Sequence, residues 1–154
     1  MSSALPRHGL STPTATTEQA SAPAATASAA SVSAVARPWM LAAVFYLLAG
    51  VSLGFYMGIS NDHTLRPVHA HINLLGWATM VLTGVIYQFF PRAGASRLAR
   101  VHFWLYQIAL PVDMFCLGLM FKGHTGIMPV LGVSTTSVVL AVALFVINVL
   151  RHRS

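Results

Sequence analysis

Four long apolar runs constrain this 154-residue chain more than any other feature. They cover about residues 39–59, 67–90, 101–121 and 127–150. Each is close to the ~20 residues that a helix needs to cross ~30 Å of hydrocarbon. The chain is 56% hydrophobic and only 8% charged, with a mean hydropathy of +0.70, which excludes an ordinary soluble domain. The expected fold is all-α: an integral membrane four-helix bundle occupying residues 37–154.

Residues 1–36 are of another kind. They are rich in Ala, Ser and Thr, contain Pro6, Pro13 and Pro23, and hold almost no large apolar side chains. Such a segment cannot bury enough surface to offset its ordering entropy, so a disordered, solvated tail is expected. No apolar h-region precedes residue 38, so a secretory signal is not expected. Short polar links at residues 60–64, 91–97 and 122–126 reverse the chain between spans, and Pro111 is expected to interrupt and kink the third. The formal charge of +6 lies on the flanks of the spans instead of forming an aromatic-interleaved basic patch, which argues against nucleic acid. The single cysteine, Cys116, excludes an internal disulfide and a cysteine zinc site.

The second span carries the chemistry. It opens as Leu65-Arg66-Pro67-Val68-His69-Ala70-His71-Ile72-Asn73-Leu74-Leu75-Gly76-Trp77. Ligand-type side chains at the mouth of a span are costly in hydrocarbon, so their default reading is functional. Proline suits the first turn of a helix because its φ is already helical and its missing N–H would be unpaired there. At roughly 100° per residue, His69, Asn73, Gly76, Met80, Thr83, Gly84 and Tyr87 fall within about 60° of one line. That small and polar face suits a neighbouring helix or a flat cofactor. His71 points about 160° away, among Leu74, Ala78, Leu82 and Val85, so one regular helix cannot direct both histidines at one ion.

Arg66-Pro-Val-His69 followed by an apolar helix resembles the second transmembrane helix of heme-copper oxidase subunit I, nearest to the nitric oxide reductases and cbb-type oxidases. The run His69-Ala-His71 is also similar to part of the NnrS family of heme-binding membrane proteins. The resemblance covers some 25 residues and implies a heme b cofactor with an axial histidine in this helix. The Arg-x-x-His spacing implies His69, whereas His-x-Asn-Leu-Leu, with Asn73, implies His71. Arg66 would hold a propionate, and His124, arriving from another helix, is the expected partner of His69. Asp113 in span three is expected either to orient a ligand histidine or to bond the Ser134–Ser137 stretch of span four.

The function implied is that of a small membrane heme-b-binding protein in respiratory electron transfer or a nitric oxide or redox response. Its expected setting is the inner (plasma) membrane of a bacterium, as a homodimer or within a larger respiratory complex. Four spans lack the further helices and the histidine cluster of the complete oxidase core, so a complete catalytic site is not expected. The alternative is a heme-free accessory or assembly protein that binds a metal through His69 and His71, or a partner subunit.

The loops set the orientation. Seven arginines (7, 37, 92, 97, 100, 151 and 153) fall on the side of the termini, and only Arg66 and Lys122 on the other. By the positive-inside rule both termini are cytoplasmic. Reporter fusions at Ser154 and in the 91–97 turn are therefore expected to read cytoplasm, and one at Asp62 the outer space. An odd number of spans would overturn this arrangement.

Overall fold

The structure, a computed structural model, describes residues 31–152. Four helices make up most of it: α1 (Ala36–Ser60), α2 (Arg66–Phe89), α3 (Arg97–Phe121) and α4 (Met128–Arg151). All four are long and apolar enough to cross a membrane, so this is an all-α, multi-pass membrane protein. Phe45, Phe55, Phe89 and Phe115 are each at least 68% exposed on the outside of the bundle, which is where lipid would lie. The tail expected over residues 1–36 lies mostly outside the described residues. Its last part, 31–35, is non-helical but fastened: Ser33 N–H donates to Gln88 Oε1 (2.8 Å), and Gln88 Nε2 donates to the Ser31 carbonyl (3.2 Å).

The turns follow from local chemistry. Asn61 ends α1 in the left-handed region (φ 54°), a conformation that its short polar side chain tolerates. Asp62 Oδ1 then accepts the Thr64 N–H (2.9 Å), and the Thr64 side chain, followed by that N–H, holds the Asp62 carboxyl below its ordinary pKa. Pro67 sits in the first turn of α2, as expected. Ser96 caps α3 by accepting the Ala99 N–H (3.1 Å). Gly123, at φ +88°, turns the chain after α3. Pro111 does not interrupt that helix: α3 is continuous, with Pro111 on its exposed side.

The bundle is built from two antiparallel pairs. α1 packs along α2 and α4 packs along α3, while α2 reaches α4 through Tyr87, which meets Asn148 and Phe145. In the first pair each helix offers glycines to the other's side chains. Gly50 and Gly54 of α1 face Asn73 and His69, while Gly76 and Gly84 of α2 face Tyr46 and Met40. A Cβ on Gly50 would stand 2.6 Å from the Asn73 amide, and one on Gly54 2.8 Å from the His69 ring. This close approach explains why the small residues fall where they do.

One feature of α2 departs from the expected regular helix. Residues Ile72–Ala78 form a π-helical segment, in which the Thr79 N–H reaches the Leu74 carbonyl. The next carbonyl, that of Leu75, accepts the Tyr106 hydroxyl of α3 (3.0 Å). The wider turn thus joins the two pairs. All seven residues expected on one face are buried or half-buried, but they meet different helices. His69, Asn73, Gly76 and Gly84 meet α1, Met80 is near Gln107 of α3, and Tyr87 reaches both α3 and α4.

Gly76→Leu is expected to lower stability by about 1–3 kcal/mol, because the new side chain must displace Tyr46. Gly132→Ala, where a Cβ meets nothing within 4 Å, is expected to raise it by up to about 1 kcal/mol through helix propensity. Reversible unfolding in mixed detergent checks both, and equal effects would refute the close-packed seam.

Candidate functional site

The two histidines of α2 sit in different surroundings. His69 is half-buried between α1 and α2, and its Nδ1–H donates to the Gly50 carbonyl (2.9 Å). A carbonyl only accepts, so the neutral ring has its lone pair on Nε2. The Asn73 amide lies 3.5 Å from that atom and donates to the His69 carbonyl at 2.8 Å. Both ring nitrogens of His69 therefore have neighbours within the seam.

His71 points out of the seam. Its Nδ1–H donates to the Pro67 carbonyl one turn earlier (2.8 Å), which again leaves the lone pair on Nε2. No described residue engages that nitrogen. The ring lines a groove of about 390 Å³ whose walls include Leu75 of α2, Leu117 of α3, and Leu131 and Val138 of α4. Asp113 and Thr135 are the other polar groups there.

Asp113 is 5% exposed, and its Oδ1 accepts two hydroxyls of α4: Ser134 at 3.1 Å and Thr135 at 2.5 Å. Of the two roles expected for Asp113, the structure contains the bonds to span four. Its Oδ2 has no hydrogen-bond partner among the described residues. The groove therefore combines a carboxyl oxygen with a neutral imidazole lone pair in apolar surroundings.

The remaining expected site residues stay near the turns. Arg66 is exposed in the first turn of α2. His63 and His124 are exposed in the turns after α1 and α3, and neither side chain hydrogen-bonds the α2 histidines. Among the described residues no three His, Cys, Asp or Glu side chains gather as a metal-holding group.

A second polar centre, absent from the expected site, lies towards the end of the bundle that holds the 90–97 turn. His102 is 1% exposed and ringed by Trp39 (centroids 4.5 Å apart), Phe145 (5.3 Å), Tyr106 (5.9 Å) and Tyr87 (6.0 Å). Its Nδ1 bonds the Tyr87 hydroxyl at 3.0 Å. Asn148 of α4 donates to that hydroxyl (3.4 Å) and to the Ala93 carbonyl (2.9 Å), while its Oδ1 accepts from Ser96 (2.7 Å). The signal was in the line His102-Tyr106-Leu110-Asp113, a polar stripe at helical spacing in an apolar span, together with Asn148 in span four. Comparison with protein-family models, curated proteins and solved structures returned no match.

Tyr87→Phe and Asn148→Leu are each expected to cost about 1–3 kcal/mol by leaving buried partners unsatisfied. Because they share one network, the double variant should cost less than the sum by about 1 kcal/mol. Simple additivity in a double-mutant cycle would separate the two residues.

Proposed function

We propose that this chain is a small membrane heme-b-binding protein related to oxidase subunit I. It works in respiratory electron transfer or a nitric oxide or redox response, in the inner membrane of a bacterium. The observation that carries the reading is the state of His71: its Nδ1–H is held by the Pro67 carbonyl and its free Nε2 belongs to a ring lining an apolar groove. A ligating histidine is ordinarily fixed in this way through its other ring nitrogen. The leucines and valines of the groove suit a macrocycle, and Arg66, exposed in the first turn of the same helix, is the cation available for a propionate. A b-type heme would supply one-electron chemistry, with its potential set by the axial ligand and by burial. The local geometry favours the His-x-Asn-Leu-Leu register over Arg-x-x-His, because His69 is already committed to the seam with Gly50 and Asn73. One histidine in the groove supplies one axial ligand, so the other falls to a second copy or to a larger respiratory complex.

A second reading has its own support. The engaged ring of His69, and the lack of a metal-holding cluster among the described residues, fit a heme-free accessory protein in which the α2 motif packs helices. Protein purified from heme-replete cells is expected to show the reduced α band of a b-type heme. His71→Ala should remove most of it, whereas His69→Ala should remove less than half and lower thermal stability. Loss of heme on His69→Ala alone would restore the Arg-x-x-His register. Absence of heme from the unaltered protein would leave the accessory role.

A further inference from the structure

We propose that the inner half of the cleft between α2 and α4 binds the carbonyl headgroup of a membrane-soluble quinone, through His102 and Thr83. A cavity of about 250 Å³ lies there, walled by Leu82, Ile86, Phe145 and Val146, with His102 and Thr83 among its lining. Ligand pockets usually begin near ~300 Å³, so there is room for about one substituted ring. His102 is 1% and Thr83 2% exposed. The only hydrogen bond of His102 is through Nδ1, and the Thr83 hydroxyl has no partner among the described residues. No buried side-chain polar atom among the described residues is left without a partner, so these two unbonded groups are open to the cavity they line, where a ligand can bond both.

The network fixes what they ask for. The Tyr87 hydroxyl accepts from Asn148, and its own proton has no acceptor other than His102 Nδ1. The neutral His102 ring then carries its proton on Nε2, as a donor. An imidazole N–H beside a hydroxyl, with no charged side chain in the lining, suits an uncharged acceptor such as a carbonyl oxygen. Leu82 and Val146 at the cavity are 60% and 47% exposed, which gives access from the lipid side. Lipid ester carbonyls share this chemistry. Thr83 lies six residues inside the end of α2 and His102 two residues past Arg100 of α3, so both face the cleft from near one end of the spans. The quinone is separated from lipid esters by competition. The site uses residues other than those of the His71 groove and does not rest on heme binding.

The test uses the full chain in quinone-free lipid nanodiscs, titrated with a decyl-substituted benzoquinone by calorimetry. Saturation at one quinone per chain is expected. Thr83→Val, which keeps the shape and removes the hydroxyl, should weaken binding about tenfold. Val146→Trp should block it, and Gly132→Ala should leave it unchanged. Unsaturable partitioning, or equal binding by Thr83→Val and Val146→Trp, would overturn the site. Displacement by an equal amount of a medium-chain diacyl ester would overturn the quinone assignment in favour of lipid.

Discussion

The rest of the structure depends on the close approach of α1 and α2. Lipid tails are as apolar as leucine, so burying side chains between spans gains little from the hydrophobic effect. What remains is dispersion at short range and hydrogen bonding, and both need backbones that come close. Here the approach is mutual: Gly50 and Gly54 accept Asn73 and His69, and Gly76 and Gly84 accept Tyr46 and Met40. The bond from His69 to the Gly50 carbonyl exists only because no Cβ stands on that part of α1. The same contact commits one histidine to the seam and leaves the other, two residues on, to the opposite side of the helix.

The second pair is held differently. α3 and α4 carry hydroxyls and one carboxyl between them, with Asp113 bonded to Ser134 and Thr135, and Ser96 to Asn148. The pairs then meet through large side chains in place of close backbones. Trp39 of α1 packs on His102 and Phe103 of α3, and Tyr106 reaches the carbonyl next to the π-helical turn. Beside these rings runs a cleft with polar groups towards each end: His71 with Asp113 at one, and His102 with Thr83 at the other. Val142 lines both parts.

A cleft of this kind opens towards the lipid-facing side of the bundle, where the proposed sites lie. Both centres consist of a few polar atoms at the bottom of an apolar lining, an arrangement typical of sites for amphiphilic cofactors. In each, a hydrogen bond on one ring nitrogen determines what the other presents: a lone pair at His71 and a proton at His102. The hydrogen bond on one ring nitrogen thus lets two histidines of one protein present different chemistry.

The sequence by itself determined the architecture. Run lengths and composition specify four spans, because hydrocarbon thickness sets helix length, and the helical period picked out seven positions of α2 that are all buried or half-buried. It also singled out Asp113 and the hydroxyls of span four as possible partners. Only the tertiary structure decided which histidine is engaged and which is free, because that depends on which helix lies opposite, and no local pattern names the neighbour. The π-helical turn was equally hidden: its residues, Ile72–Ala78, read as an ordinary apolar helix, and the Tyr106 hydroxyl beside it lies 31 positions away along the chain. For the His102 centre the sequence offered the polar line on span three but not the partners that gather around it. Its partners come from α1, α2, α3 and α4, and their convergence is a property of packing that a one-dimensional pattern does not carry.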